Sequence, residues 1–419
     1  MAVGAAVGAL LVPAALAQAA GQVQSALAKW GRANPQTTAL VVRLDGPATT
    51  QIASFKPEAA RIPASTMKLV TTAAALIELG PDYRFTTPLL AGPATQVTAT
   101  AITGPLYLRG AGDPLLATRA YARRYLGGTA TDLATLVVPL RRAGIRRVDG
   151  PIVADEGLFD ARRTGPGWPA RYSAYSAPLS ALVTNHNYAG DAQAQYLANP
   201  PIAAAQRLRA ALRGVGIRQR GRLGTGRTPS GARALAMAVS PPLSRIVRAM
   251  NLASDNFIAE TLAKDVGAYG GARGTTAAGT AKAAELLAGQ GVPPGAGDRL
   301  VDGSGLSRAN RLSANTLVRI IAAADRDPTW GAALIGSLAR GGEGTLIRRF
   351  LRGPARTRVR AKTGYIDGAT ALAGRVTSVN GTRYAFALVM NSWDISGAQA
   401  LQNRVVEMLA AGREDPATR

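Results

Sequence analysis

The first eighty residues have hydrophobic patterns that predict two short strands between two helices. Residues 22–32 carry apolar positions at helical spacing, and residues 37–44 and 51–55 are typical of strands. A longer helix is predicted over Ser65–Leu79, because Gly80-Pro81 directly after it is a typical helix stop.

The C-terminal part of the chain has a clearer strand pattern. Residues 358–363, 371–379 and 382–390 are short apolar runs that predict three strands. Asn380-Gly381 lies between the last two, and this dipeptide is the strongest short signal for a β-hairpin. Residues 397–411 predict a closing helix, so strands and a helix occur at both ends of the chain.

The middle of the chain has a different sequence pattern. From about Tyr83 to Leu235, short apolar runs alternate with Gly and Pro turns, which indicates a separate, strand-rich unit. Helical patterns return near Leu243. We therefore expect an α+β fold in which residues 21–84 and 236–419 form one domain and residues 85–235 form an inserted domain.

The first twenty residues carry no charge. Small residues in the A-x-A pattern, at Ala15-Leu16-Ala17 or Ala17-Gln18-Ala19, are typical of signal-peptide cleavage sites. No Lys or Arg precedes the apolar run, so an uncleaved anchor is the alternative, although Pro13 and the weak hydrophobicity of Ala and Gly argue against it. We expect residues 1–20 to be a signal peptide or anchor and the protein to act in the periplasm or outer cell envelope.

Composition excludes several kinds of site and partner. The absence of cysteine excludes thiol catalysis, and a single histidine, His186, leaves little material for a Ser-His-Asp triad or a metal centre. We expect no metal and no cofactor. The net charge of +24 favours anionic partners, but the arginines are dispersed and no nucleic-acid motif occurs. We therefore expect no nucleic-acid partner and only weak attraction to anionic envelope polymers.

Three short motifs that carry chemistry occur in order along the chain. They are Ser65-Thr66-Met67-Lys68 (S-x-x-K), Ser254-Asp255-Asn256 (S-D-N) and Lys362-Thr363-Gly364 (K-T-G). Penicillin-binding proteins and class A β-lactamases carry this trio. Arginine cannot lose its proton in a protein and lysine can, so the two motif lysines are notable in a chain with only six.

Ser65 and Lys68 are spaced for nucleophilic catalysis. Residues three apart at a helix start share a face, so Lys68 can reach the Ser65 hydroxyl. To act as a base, Lys68 needs a pKa lowered from about 10.4 toward about 7, or roughly 4 kcal/mol. Burial, the positive helix end and a nearby Lys362 all act in that direction. The alternatives are a surface lysine on an amphipathic helix for Lys68 and an edge-strand lysine for Lys362.

The S-D-N motif has two rivals. Ser313-Ala314-Asn315 also fits S-x-N, and so does Ser378-Val379-Asn380, which follows K-T-G at the predicted hairpin turn and is discarded. Ser313 is equally well suited to be a helix N-cap, so pattern alone does not separate it from Ser254.

With these motifs, the chain resembles the D-alanyl-D-alanine carboxypeptidase/endopeptidase family, the class C low-molecular-mass penicillin-binding proteins (peptidase family S13). Met250-Asn251 ahead of S-D-N is similar to the family's segment and favours Ser254 over Ser313. Residues 302–317, 106–114 and 177–187 also resemble family stretches. The resemblance implies a transpeptidase-like domain, with an antiparallel sheet flanked by helices, and an insert between S-x-x-K and S-x-N.

The resemblance also implies a role for each motif residue. Ser65 would be the acylated nucleophile, Lys68 the base, and Ser254 a proton relay to the leaving amine. Asn256 would hold the substrate's amide. Lys362, Thr363 and Gly364 would bind the substrate, the first two through its terminal carboxylate. The backbone N–H groups of Ser65 and Tyr365 would form the oxyanion hole.

The implied substrates are peptidoglycan stem peptides ending in D-Ala-D-Ala, with β-lactam antibiotics as covalent inhibitors. The carboxypeptidase and endopeptidase reactions stay open, because only the leaving amine differs. Tyr365 departs from the Thr or Ser that commonly follows K-T-G in the family. This departure bears on substrate choice and rate rather than on acylation. Asp302, Gly303 and Gly305 are interpreted as turn-forming residues.

Two alternatives to this function remain. The first is a related serine acyl enzyme, a β-lactamase or an esterase. Class A β-lactamases hydrolyse the acyl-enzyme with the glutamate of an E-x-x-L-N loop. This chain contains no E-x-x-L-N sequence, so slow deacylation of penicillin is expected. The second is a non-catalytic cell-wall binding or scaffold protein. Such a protein would not need a lysine that can lose its proton beside a serine, so the intact motifs argue against it.

Overall fold

A computed structural model describes residues 14–190 and 195–412 of the chain. Of the predicted signal peptide or anchor, residues 1–13 lie outside this range, and the first helix begins at Ala14. Within the described residues, no helix is both long and apolar enough to span a membrane.

The central sheet is built from both ends of the chain, as the sequence predicts. Its five strands are β1 (Thr37–Arg43), β2 (Thr50–Phe55), β14 (Val359–Ile366), β15 (Ala369–Thr377) and β16 (Arg383–Met390). They lie in the order β14-β15-β16-β1-β2, and every neighbouring pair is antiparallel. The pairing of β1 with β16 joins the two ends of the chain, and β14 is left at one edge.

Helices cover both faces of this sheet. The helices from the two chain ends are α1 (Ala14–Ala33), α2 (Lys68–Leu79), α6 (Leu243–Ala253), α7 (Asn256–Tyr269), α8 (Thr276–Gly289), α9 (Ala314–Arg326), α10 (Trp330–Ser337), α11 (Ala355–Arg358) and α12 (Ile395–Ala410). Along β16, Phe386 and Leu388 pack with α1 and α12, whereas Ala387 and Val389 pack with α2 and α9. Because both faces are covered, β16 is hydrophobic at almost every position.

Within the described residues, the middle of the chain forms three further sheets. Its strands are β3 (Thr86–Ala91), β4 (Gln96–Val97), β5 (Ala101–Thr103), β6 (Leu106–Arg109), β7 (Leu116–Ala117), β8 (Thr131–Asp132), β9 (Arg147–Asp149), β10 (Ile152–Asp155), β11 (Arg218–Arg220), β12 (Leu223–Thr225) and β13 (Arg233–Val239). Its helices are α3 (Arg119–Tyr125), α4 (Val138–Arg142) and α5 (Pro200–Gly214). The sheet orders are β12-β10-β6-β3-β13 and β11-β9-β5-β4, and β7 pairs with β8.

This middle part has its own hydrophobic core. One cluster of buried side chains is drawn entirely from residues 89–238, with Leu108, Ile152 and Leu208 among its members. Strand β13 is the edge strand of the five-stranded sheet in this middle part, and it ends at Val239. This sheet therefore extends beyond the domain boundary predicted at residue 235. The boundary differs because β13 pairs with β3 along its whole length, as an antiparallel neighbour. A sequence pattern predicts a strand but not its partner, so it does not show to which sheet the strand belongs.

One predicted helix differs in detail from the structure. The helix expected over Ser65–Leu79 begins as a 3-10 turn, Ala64–Met67, and α2 itself starts at Lys68. The Thr66 hydroxyl donates to the carbonyl of Pro63 at 2.7 Å and so fastens this tighter first turn.

Candidate active site

The three motifs meet at the edge of the central sheet. Ser65 comes from the 3-10 turn before α2, Ser254 from the junction of α6 and α7, and Lys362 from β14. They adjoin a cleft of about 590 Å³, whose lining includes Ser65, Ser254, Asn256, Thr363 and Tyr365. Segments separated by hundreds of residues thus converge on one concave surface.

The turn that carries Ser65 is backbone-strained. Ala64, the residue before it, is buried and has φ of 46°, in the left-handed region that non-glycine residues rarely adopt. Gly305 packs directly against this turn, since a Cβ at Gly305 would lie 1.9 Å from the carbonyl oxygen of Ala64. Strain of this kind persists only when surrounding packing imposes it, and it is common at active sites.

Lys68 is completely buried and donates three hydrogen bonds. Its Nζ lies 2.9 Å from Ser65 Oγ, 2.7 Å from Asn256 Oδ1 and 2.7 Å from the carbonyl oxygen of Ser304. An ammonium group has three protons, so these acceptors match its charged form. Loss of one proton would leave a lone pair available to the Ser65 hydroxyl.

Burial lowers the pKa of Lys68 from 10.5 to about 8. The charges of Asp302, Asp255 and Glu260 act in the opposite direction. The direction is the one that the sequence predicts for a general base, although the value stays above the expected 7. A substantial neutral fraction of Lys68 therefore exists at mildly alkaline pH.

Ser254 and Lys362 form a second pair. Lys362 Nζ donates to Ser254 Oγ at 2.7 Å and to the carbonyl oxygen of Thr363 at 2.8 Å. Burial, followed by the charge of Lys68, holds the pKa of Lys362 well below its usual value. Ser254 has φ of 55° and ends α6 in a left-handed conformation. Ser254 therefore contacts Lys362 directly, while the described hydrogen bonds include none between Ser254 and Lys68.

In addition to its predicted place in substrate binding, Gly364 allows close packing of β14. A Cβ at Gly364 would lie 2.6 Å from the carbonyl oxygen of Pro63 and 3.2 Å from the Cβ of Ala64. The glycine therefore allows β14 to approach the turn that carries Ser65. Tyr365 follows it with 60% of its side chain exposed on the rim of the cleft.

The rival S-x-N serines lie elsewhere. Ser313 is the N-cap of α9, and its hydroxyl accepts from the backbone N–H of Thr316 at 3.1 Å. Ser378 lies after β15 and its hydroxyl donates to Asn380 in the hairpin turn. Neither serine is among the residues that line the cleft.

The sequence is similar to a known family of peptidases. The sequence matches the family model of the D-Ala-D-Ala carboxypeptidase 3 (S13) family over residues 19–196 and 190–412. It is 30% identical to a D-alanyl-D-alanine carboxypeptidase of Actinomadura sp., over 85% of this chain and 78% of that protein. It is 32% identical to a carboxypeptidase of Mycobacterium tuberculosis, over 84% of this chain and 76% of that protein. The chain belongs to the S13 family.

The fold agrees with this assignment. Penicillin-binding protein 4 of Haemophilus influenzae superposes with a TM-score of 0.73, at 22% identity, over 88% of this chain and 93% of that one. The family resemblance, the α+β transpeptidase-like fold and the classification as a hydrolase are therefore confirmed.

Several polar groups at this S13 site were not identified from the sequence. The carbonyl oxygen of Tyr175, on a 3-10 helix of the middle part, accepts from Asn256 Nδ2 at 2.9 Å. Glu260 Oε1 accepts from the backbone N–H groups of Gly303 and Ser304, and burial raises the pKa of Glu260 to about 8. The backbone groups leave no signal in a sequence, but Glu260 lies one helical turn after Asn256, which places both on one side of α7.

Asp302 and its glycines form the turn that the sequence suggested, and this turn also adjoins the site. Asp302 accepts from the backbone N–H groups of Gly305 and Ser307 and from Trp168 Nε1. Gly305 has φ of 87°, which favours glycine. The turn thereby fixes the Ser304 carbonyl that faces Lys68.

His186, the single histidine of the chain, is buried. It lies in a left-handed turn with Asn185 and Asn187, and its Nδ1 is 3.7 Å from Asp255 Oδ2. It does not line the cleft that holds Ser65. Within the described residues, no group of three or more His, Cys, Asp and Glu side chains could hold a metal ion.

Proposed function

We propose that this chain is a serine-type D-Ala-D-Ala carboxypeptidase that acts on peptidoglycan stem peptides through an acyl-enzyme at Ser65. The observation that carries the proposal is the contact of 2.9 Å between Lys68 Nζ and Ser65 Oγ. Lys68 is fully buried and its pKa is lowered to about 8, as a base in acylation requires.

In the proposed acylation, neutral Lys68 takes the proton of the Ser65 hydroxyl as Ser65 Oγ attacks the carbonyl carbon of the penultimate D-Ala. The backbone N–H groups of Ser65 and Tyr365 stabilise the negative charge that develops on the carbonyl oxygen. When the C–N bond breaks, the leaving amine takes the hydroxyl proton of Ser254. Ser254 regains a proton, the one that Lys68 removed from Ser65, so Lys68 is neutral again before water attacks the ester. The hydrogen bond between Ser254 and Lys362, at 2.7 Å, supports this route.

Substrate binding is proposed to use the rest of the K-T-G and S-D-N motifs. Lys362 and Thr363 bind the terminal carboxylate, beside Gly364, and Asn256 holds the substrate's amide. Lys362 is buried and Thr363 lines the cleft, so a carboxylate bound there would favour the charged form of Lys362 and pair with it in a low-dielectric setting. Water then hydrolyses the ester at Ser65, releasing the shortened peptide and returning the proton to the serine.

We also propose the domain division and the location of the protein. The proposed catalytic domain is residues 21–84 and 236–419, and the proposed inserted domain is residues 85–235, with β13 continuing its sheet to Val239. The separate core of the middle part supports this division. Residues 1–20 direct export to the periplasm or outer envelope, where the substrate lies.

A fluorescent penicillin tests the acyl-enzyme. Protein without residues 1–20 should form a covalent adduct that mass spectrometry locates on Ser65 and that deacylates slowly. Ser65→Ala should form none, and a Ser313→Ala protein should keep the adduct as a matched serine control. An adduct on another residue, or none in the wild-type protein, would reject Ser65 as the penicillin-reactive nucleophile.

A further inference from the structure

A second concave surface is lined in part by Gly341 and Glu343, which precede the residues within 345–349 that contribute to the catalytic cleft. This arginine groove has a volume of about 400 Å³ and is lined by Arg248, Arg340, Glu343, Arg356 and Arg360. It shares no lining residue with the cleft. The groove is therefore a separate feature of the fold.

Two of its guanidinium groups converge on one carbonyl oxygen. Arg248 Nη1 donates to the carbonyl of Gly336 at 2.8 Å, and Arg360 Nη1 approaches the same oxygen at 3.4 Å. Burial, and then the charges of Arg340 and Arg248, lower the pKa of Arg360. The arginines of the groove thus repel each other at short range.

The negative charge in the groove is insufficient to balance its arginines. Among the described residues that line it, Glu343 is the one acid against four arginines, which leaves a formal excess of three positive charges (4 − 1). Glu343 accepts from Arg248 and from the backbone N–H of Arg340. Arginines elsewhere in the fold are paired with acids: Arg375 and Arg383, for example, share the buried carboxylate of Asp325.

Donors are also available in the groove. The side chains of Arg340 and Arg356 are exposed and make no hydrogen bond within the described residues. Each guanidinium carries five N–H donors in a planar fork that matches the oxygen spacing of phosphate. Such charge-assisted contacts are stronger than neutral ones.

We propose that the arginine groove binds a phosphate group, as a free ion or as an ester on a larger molecule. The excess charge and the unused donors favour a multiply charged oxyanion over a single carboxylate. The groove also adjoins elements of the catalytic site. Arg248 lies on α6, which ends at Ser254, and Arg360 precedes Lys362 by two residues on β14. A bound phosphate would therefore lie beside the site without occupying it.

Isothermal titration calorimetry with inorganic phosphate tests this proposal, at constant ionic strength and against sodium chloride. We expect saturable phosphate binding by the wild-type protein. Arg340→Gln/Arg356→Gln should weaken it about tenfold or more, equivalent to about 1.4 kcal/mol. The matched control is Arg218→Gln/Arg220→Gln, which removes the same charge from exposed positions of β11 and should bind as the wild-type protein does.

Two results would overturn the proposal. One is phosphate binding no stronger than that of chloride, and the other is an equal loss of binding in both double variants, which indicates general charge attraction. Glycerol phosphate then distinguishes an ester from the free ion: binding comparable to that of inorganic phosphate supports an ester ligand, and much weaker binding restricts the proposal to the free ion. All measurements read binding alone, so they are independent of Ser65 chemistry.

Discussion

At the scale of single residues, the protonation state of Lys68 controls the proposed chemistry. Burial lowers the pKa of Lys68 to about 8, so the second-order rate of acylation by penicillin should rise about tenfold per pH unit below pH 8 and level off above it. Stopped-flow measurements between pH 6 and about pH 10 would show this.

Lys68→Arg is the control for this profile, because arginine keeps the charge and cannot lose it. It should abolish acylation across the whole range. A wild-type rate that is independent of pH would contradict the assignment of Lys68 as the base.

Asn256 offers a sharper test, because its Oδ1 lies 2.7 Å from Lys68 Nζ. Asn256→Asp puts a carboxylate there, which favours the charged ammonium and should move the midpoint of the pH profile upward by about 1–3 units. Asn315→Asp adds the same charge in the rival S-x-N motif and should leave the midpoint unchanged. An unchanged midpoint in Asn256→Asp would show that this contact does not control the base.

At the scale of secondary-structure elements, two serines separate catalysis from helix stability. Ser313 caps α9, so Ser313→Ala should reduce the free energy of unfolding by about 1 kcal/mol and leave acylation intact. Ser254→Ala should lower acylation by about 10²–10⁴-fold, as expected for a lost proton-transfer group. Urea unfolding and penicillin acylation, measured on both variants, give the comparison. The reverse pattern would exchange the two roles.

The same elements show how far the sequence predicts this fold. The strands at both chain ends were predicted because they are apolar runs with a strong turn signal at Asn380-Gly381, and helical spacing predicted α1 and α12. The left-handed conformations of Ala64 and Ser254 were not predictable, because packing imposes them and no glycine marks them.

The candidate site shows the same limit. Side chains with rare chemistry, such as Lys68 and Lys362, can be selected from the motifs alone. The carbonyl oxygens of Tyr175 and Ser304 cannot, since every residue has one and only the tertiary fold aims these two at the site.

At the scale of the whole molecule, the middle part is joined to the catalytic helices through a buried acidic junction. Asp113 follows β6 and accepts from the Thr131 hydroxyl and the Leu115 N–H. Its neighbour Gly112 packs on Asp265 of α7, where a Cβ would lie 1.9 Å from Oδ1. Both carboxylate oxygens of Asp265 are buried without a hydrogen-bond partner among the described residues. Burial and the charge of Asp113 raise the pKa of Asp265 well above its usual value.

This junction should make stability depend on pH. Burial raises the pKa of Asp113 from 3.8 to about 6, so the folded protein holds this proton more tightly than the unfolded chain. The resulting stability is present below pH 3.8 and is lost as pH rises through about 6, by about 3 kcal/mol in total. Asp113→Asn removes this titration. The free energy of unfolding of Asp113→Asn should therefore increase relative to that of the wild-type protein between about pH 4.5 and 7.5. Urea titrations at each pH measure this difference.

The control for this comparison is Asp82→Asn, at an exposed position, which should show no such gain. A difference between Asp113→Asn and the wild-type protein that is constant with pH would mean that Asp113 is ionised throughout, with compensation from the Thr131 and Leu115 donors. A growing difference would mean that the junction carries a proton at low pH. Gly112, beside Asp113, packs on Asp265 of α7, so that proton would link the stability of the packing between the middle part and α7 to the pH of the surroundings.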